Sequence, residues 1–392
     1  MTSPSSPTTA QDVSRWWREF EIPDNITFLN HAAFGPLTRR ARQAIESYMD
    51  RWGRFASGPD VDQESYALLD RARGDFAHLI NIDARRVAVA PNASYGLNTI
   101  LWGIDWKPGD RILVPEVEFP AIVYVVQHLA KQRGLHVEVL PCPNEYFAID
   151  DLDRALAKGA AAFVFSWVQY FNGYRYDLGE IARCCHAHDC FALTDATQGV
   201  GAVHVDGSES GIDALVCAGQ KWLFGQPGSG FFYIGTDTIR PVEPPFAGWM
   251  GVDWSYRFND LRRWDRPRYD DGRRWEVATY PYFALRAAAE GVHLLRERGP
   301  ANVWSDIQGL LTRLKDGLAD SPYKPFPLSN DHDSGILAIE GPKAEQLREF
   351  LLQRDIYASY REGRVRVSPH FYNREADIDR LLEAIHDFEK TQ

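Results

Sequence analysis

Seven short apolar runs recur between residues 85 and 235: RRVAVA (85–90), RILVPE (111–116), HVEVLP (136–141), AAFVFSWV (161–168), FALTDA (191–196), ALVCAG (214–219) and GFFYIG (230–235). Runs of this length bounded by turn residues predict β-strands. Stretches with helical spacing separate most of them, and strand–helix alternation predicts an α/β fold with a mostly parallel sheet covered on both faces. The last two runs are joined by a short Gly-broken loop. A parallel crossover needs a dozen or more residues, so the last strand is predicted to be antiparallel.

Outside this region the pattern changes. Residues 12–22 read as a short amphipathic helix, ITFLNHAAFGP (26–36) as a strand and loop, and 37–56 and 62–80 as helices. A long helix over 279–298 would link two domains. After it come a helix (302–320), a strand (335–341), a helix (343–354), strands IYASYR and RVRVSPH, and a last helix (375–389), which suit a small α+β domain. The predicted division is a tail and helix over 1–25, a large domain over 26–278, and the linking helix with a small domain over 279–392. Residues 241–274 are irregular. Between Arg257 and Arg274 there are seven Arg against four Asp, and Trp249, Trp254 and Trp264 stand nearby. Aromatics at this density argue for a functional loop over disorder.

Composition narrows the function. A net charge of −11 over 392 residues gives no electrostatic footprint for nucleic acid. No apolar run approaches the ~20 residues that span a bilayer. The N-terminus, MTSPSSPTTAQD, has neither a basic nor an apolar region, so a signal peptide is not expected and the cytoplasm is the expected compartment. The five cysteines include CCHAHDC at 184–190, but adjacent Cys184 and Cys185 point in different directions on a helix, and free thiols are expected over a metal site.

The candidate chemistry lies at strand ends. Lys221 follows the run 214–218 and precedes a loop with Gly225, Gly228 and Gly230. A lysine there is either an exposed turn residue or, if desolvated, a Schiff-base nucleophile at the sheet edge where ligands collect. Upstream, FALTDATQGV (191–200) places Asp195 at another strand end, with Gln198 three residues on. A strand-end carboxylate and a strand-end lysine are what pyridoxal 5′-phosphate requires: one keeps the pyridine nitrogen protonated, the other holds the aldehyde carbon.

With these motifs the chain resembles the class V aminotransferase family of fold-type I pyridoxal phosphate enzymes, which includes isopenicillin N epimerase, cysteine desulfurases and C–S lyases. The resemblance runs from about Phe28 to the last helix. It implies a seven-stranded large-domain sheet and a homodimer with shared active sites. In PNASYGLNTI (91–100), Ala93 and Ser94 would hold the cofactor phosphate, although Ser94 also suits a plain helix cap. Phe119 stands where desulfurases place a ring-stacking histidine; it can stack but cannot transfer a proton. Gln198 would meet the ring hydroxyl and Gln220 the phosphate. Thr279 matches a threonine that reaches the partner's phosphate. Arg366, in RVRVSPHFYN, would pair the substrate α-carboxylate through its planar fork. Tyr170, or Gln169 beside it, would touch substrate. His31 would face the active site or merely cap the strand–helix turn.

The resemblance also leaves something out. Desulfurases carry a catalytic cysteine just before the strand of Arg366, and DIYASYREGRVRV (355–367) has none. The expected activity is therefore β-elimination from an S-conjugated cysteine or another bulky amino acid, of the kind found in secondary metabolism and antibiotic biosynthesis. Epimerisation and transamination are the alternatives within the family, and a non-catalytic cofactor-binding protein is the alternative outside enzymes. The large substrate is inferred from the Trp- and Arg-rich segment 249–274.

Overall fold

The computed structural model describes residues 15–55, 59–235, 238–253 and 262–391. The chain enters at β1 (Thr27–Phe28). The seven apolar runs then form β2 (Val87–Ala90), β3 (Arg111–Pro115), β4 (His136–Leu140), β5 (Ala162–Ser166), β6 (Phe191–Asp195), β7 (Ala214–Ala218) and β8 (Gly230–Ile234). They make one sheet in the order β2-β8-β7-β6-β5-β3-β4. As expected, β8 is antiparallel to both neighbours, and the β3, β4, β5, β6 and β7 pairings are parallel.

Side chains alternate between two cores, one on each face. Val87, Val89, Phe163 and Phe165 pack into one; Ala88, Ala90, Ala162 and Val164 pack into the other. This is the period-two pattern of a strand buried on both sides. β4 departs from it. It is the edge strand, and Val137 and Val139 are exposed.

The long helix runs Tyr282–Arg298, three residues later than the spacing predicts. Pro281 disfavours helical backbone in the residue before it. Residues 276–281 therefore stay out of the helix, and Thr279 lies in an exposed stretch. The helix is buried on most sides, with Leu285, Ala288, Val292 and Leu295 among its core residues. Of the predicted helix 12–22, residues 12–14 lie outside the described residues. The described part is a single helical turn, after which Phe20 bridges to Thr38.

Beyond the long helix, β9 (Lys324–Pro325), β10 (Leu337–Glu340), β12 (Ser359–Arg361) and β13 (Arg364–Val367) form an antiparallel sheet in the order β12-β13-β10-β9. The short β11 (Ile356–Tyr357) pairs instead with β1, in parallel. The N-terminal strand is thus fastened to the C-terminal third of the chain. Residues 254–261 of the Trp- and Arg-rich segment lie outside the described residues. In the rest, Trp264 is almost fully exposed, Met250 is buried, and Arg273 and Arg274 pair with Asp271 and Glu243.

Candidate active site

The C-terminal ends of β2, β3, β5, β6 and β7 meet at one edge of the large sheet, where open α/β sheets bind ligands. A cavity opens there, lined by Ala93, Ser94, Phe119, Tyr170, Asp195, Gln198, Gln220 and Lys221, with Asn92, Ser166 and Thr197 among its other walls. Eight residues scattered over more than a hundred positions converge because each follows a strand of the same sheet.

Lys221 stands just past β7 on a loop held by backbone contacts. Gly219 N–H donates to Ser229 O at 2.9 Å, Gly225 N–H to Gly219 O at 2.8 Å, and Gly35 N–H to Gln220 O at 2.9 Å. A Cβ on Gly35 would lie 2.2 Å from Lys221 O, so only glycine permits this approach. The Lys221 side chain reaches the cavity, with Nζ 5.5 Å from the centre of the Phe119 ring. Burial pulls its pKa down to about 8, against the opposing pull of Asp195. Roughly a tenth of it is therefore unprotonated at pH 7, far more than for an ordinary lysine, as suits a nucleophile or base.

Asp195 ends β6, beside Ser166 at the end of β5. Burial pushes its pKa up, while Thr197 and Lys221 pull it down. Thr197 N–H donates to it at 2.9 Å, and the Thr197 hydroxyl is held from behind by Ala218 N–H at 3.0 Å. A buried carboxylate with this set of donors is completed by a cation on its open side.

On the opposite wall the helix Ala93–Gly103 points its N-terminus at the cavity. Asn92 caps it, accepting from Tyr95 N–H at 2.8 Å. The first N–H groups of a helix have no acceptor within it, so those of Ala93 and Ser94 suit an anion. Gln220 lies beside them with its side-chain oxygen buried and unpartnered, and a half-turn of the amide presents its NH2 instead. Gln198 is tied down at both ends: Nε2 donates to Ala32 O at 3.0 Å, and Oε1 accepts from Trp222 Nε1 at 2.8 Å. One amide N–H remains for a ligand.

Phe119 forms the roof, half exposed, with its ring edge-on to Tyr170 at 5.2 Å. The Tyr170 hydroxyl donates to Glu362 at 3.1 Å, and burial, together with Glu362, raises its pKa to about 12. Gln169 is turned the other way, fully buried, and donates to Glu118 at 3.0 Å. Of the two candidates at this position, Tyr170 is the one on the cavity wall.

Arg366 is almost fully buried without a carboxylate among the described residues. Nη1 donates to Tyr170 O at 2.6 Å, Nη2 to Ser359 Oγ at 3.4 Å, and Nε has no partner. Burial, with Arg361 nearby, pulls its pKa down to about 9, which leaves it charged at neutral pH. A buried guanidinium met only by neutral acceptors is costly unless an anion arrives to pair it.

His31 is a correction. It is fully buried and absent from the cavity wall. Its Nδ1–H donates to Ser368 O at 2.9 Å and its Nε2 accepts from the Tyr372 hydroxyl at 2.8 Å. Burial drives its pKa down to about 3. The imidazole is a neutral tie between the N-terminal loop and the C-terminal strand, with no free nitrogen for substrate. The parallel pairing of β1 with β11 turns it that way, which local sequence cannot reveal.

Glu118 is a residue that motif reading passed over. It is buried behind Phe119 and accepts from Ser166 N–H at 2.8 Å, Ser166 Oγ at 2.5 Å and Gln169 at 3.0 Å. Burial raises its pKa to about 7 despite these donors, and Asp195 adds to the rise. The signal was present: an acid set between apolar residues just past a strand.

These features fit pyridoxal phosphate: helix-end donors for its phosphate, a buried carboxylate for its ring nitrogen, and an amine of depressed pKa for its aldehyde. Comparisons with known proteins agree. Residues 27–381 match the family model for class-V aminotransferases. The chain is 28% identical to a kynureninase of Deinococcus radiodurans, over 88% of this chain and 84% of that protein. It is 27% identical to an isopenicillin N epimerase of Streptomyces clavuligerus, over 93% and 95%. Its fold is similar to that of the cystine C–S lyase C-DES, with a TM-score of 0.84, 24% identity, and coverage of 93% and 98%. The chain belongs to the class-V aminotransferase family and is a pyridoxal 5′-phosphate-dependent enzyme.

Proposed function

We propose that this enzyme cleaves the Cβ–S bond of an S-conjugated cysteine by β-elimination. The observation that carries this reading is the set of proton-transfer groups at the cavity. Among the described lining residues, Lys221 is the one base suited to neutral pH. Tyr170 is held up at about 12, Phe119 has no proton to give, and His31 is turned away. Elimination needs one base; reversible epimerisation also needs a second group, on the opposite face, that can take the proton as well as give it, and a hydroxyl held near 12 is a poor base.

Arg366 binds the substrate α-carboxylate with its fork and so orients Cα. Ala93, Ser94 and Gln220 would hold the cofactor phosphate, Phe119 would pack on its ring, and Asp195 would keep its ring nitrogen protonated. Bound pyridoxal phosphate supplies the electron sink for negative charge at Cα. Lys221 Nζ takes the Cα proton. The Cβ–S bond then breaks with its electron pair going to sulfur, and the sulfur leaves as a thiol after protonation. Water releases the three-carbon fragment as pyruvate and ammonia.

A desulfurase reading finds no support in the hairpin β12–β13. It turns through two residues, Glu362 (φ 44°) and Gly363 (φ 82°), and contains no thiol. Incubation with S-substituted cysteines in D2O tests the proposal. Thiol and pyruvate in equal amounts are expected. Deuterium at Cα with inverted configuration and no free thiol would replace this reading with epimerisation, with Tyr170 and Glu362 as the second-face pair.

A further inference from the structure

The hairpin β12–β13 carries three arginines whose charges are met unequally. Ser359 stands opposite Arg366, and Arg361 opposite Arg364. Directly opposed residues share a face, as do residues two apart on one strand, so Ser359, Arg361, Arg364 and Arg366 all project from the same side. Arg364 is neutralised by Glu340 at 2.7 Å and Glu145 at 2.8 Å. Arg366 meets only neutral oxygens. Arg361 donates to the carbonyl of Tyr360 at 2.6 Å and pairs with no carboxylate among the described residues. The neighbouring Glu362 is engaged instead by the Tyr170 hydroxyl on the cavity wall.

Arg361 is exposed, at the outer end of the strand that backs Arg366. Its charge is felt inside the site, where it lowers the pKa of both Arg366 and Lys221. Of the three arginines, Arg361 and Arg366 are thus the two that no carboxylate among the described residues pairs.

We propose that Arg361 is a second anion-binding group of the substrate site, selecting amino acids whose side chain ends in a carboxylate. Arg366 and Arg361 are diagonal neighbours across the strand pair, which separates their backbones by roughly 7–8 Å. That is comparable to the span between two carboxylates joined by four chain atoms. The two-residue turn fixes this spacing, because a Glu-Gly pair at positive φ closes a tight, rigid hairpin. The inference rests on the reading of the cavity as an amino-acid site with Arg366 at the α-carboxylate, and it does not depend on which reaction follows.

The test uses isosteric acid and amide pairs, which differ in charge and little in shape. Holoenzyme is titrated with S-carboxymethylcysteine and S-carbamoylmethylcysteine, and separately with L-glutamate and L-glutamine, following the visible absorption of the bound cofactor. The wild type is expected to bind at least one acid about five- to tenfold more tightly than its amide. The modest factor reflects an exposed guanidinium screened by water. Arg361→Gln should remove the preference while leaving affinity for the amide unchanged, and Arg361→Lys should keep part of it. Arg366→Lys should weaken acid and amide alike. A wild type without preference in either pair, or an Arg361→Gln variant that retains it, would overturn the proposal. So would the absence of any spectral response to both acids. Failure of the elimination reading shows separately, as tight binding of S-carboxymethylcysteine without release of thioglycolate.

Discussion

At the scale of single residues, burial sets three groups apart. Lys221 is buried with its pKa near 8. In cofactor-free protein its amine should capture pyridoxal phosphate at a rate that rises with pH and levels off above about 8, whereas a surface lysine keeps gaining up to about 10.4. Lys221→Ala should show no borohydride-reducible attachment of the cofactor at this position. Arg366 is the opposite case, a charge whose partner is the substrate. Arg366→Ala should retain the cofactor yet lose roughly 2–5 kcal/mol of substrate interaction, read as a fall in kcat/KM of at least thirtyfold.

Glu118 gives a pH test whose sign follows from burial. Its folded pKa, about 7, lies above the ordinary carboxyl value. Between those values the unfolded chain binds fewer protons than the native one, so stability falls as pH rises towards 7. Glu276, buried beside Arg73, is raised to about 7 as well. The difference between wild type and Glu118→Gln isolates Glu118: the variant should lose less Tm between pH 5 and pH 7.5. Parallel curves would show that Glu118 does not titrate there.

At the scale of elements, the loop carrying Lys221 is a backbone assembly and tolerates little. Gly291 lies in the long helix where it crosses that loop, and a Cβ there would come within 2.0 Å of Leu223 O. Alanine normally favours a helix over glycine by about 1 kcal/mol. Here the clash is with main chain and cannot be relieved by a rotamer change, so overpacking of about 1–3 kcal/mol prevails. Gly291→Ala should lower Tm and, by shifting the loop, blue- or red-shift the absorption of the bound cofactor. An unchanged Tm and spectrum would mean that the helix moves aside freely.

At the scale of the whole molecule, a dimer with shared sites makes a testable prediction for Thr279. Thr279 is exposed just before the long helix, which suits a residue that serves a partner's site. If sites are shared, neither Lys221→Ala nor Thr279→Ala homodimers contain a complete one, but a mixed dimer contains one. Thr279→Ala should retain cofactor about tenfold more weakly, the worth of one hydrogen bond to a charged group. Mixing the two variants by reversible dissociation should restore tight covalent attachment in the one complete site of each mixed dimer. No restoration in a sample shown to contain mixed dimers would place Thr279 in its own subunit's structure instead.

The strands and their order of appearance, the antiparallel turn of β8, and the strand-end positions of Lys221 and Asp195 were legible in the sequence. Each is a local matter: apolar runs of fixed length, a loop too short to cross over, a polar residue at the end of a run. The family was legible because several such motifs recur in order. Tertiary structure decided the rest. His31 and Gln169 look as available as Tyr170 along the chain, but the pairing of β1 with β11 and the packing behind Phe119 turn both inward, where their hydrogen bonds are already satisfied. Glu118 acquires its raised pKa from burial, and Arg361 its place on the same face as Arg366 from the register of one hairpin. Such properties depend on which groups lie within a few ångströms through space. Residues 337 positions apart, such as His31 and Ser368, become neighbours only when the chain closes on itself.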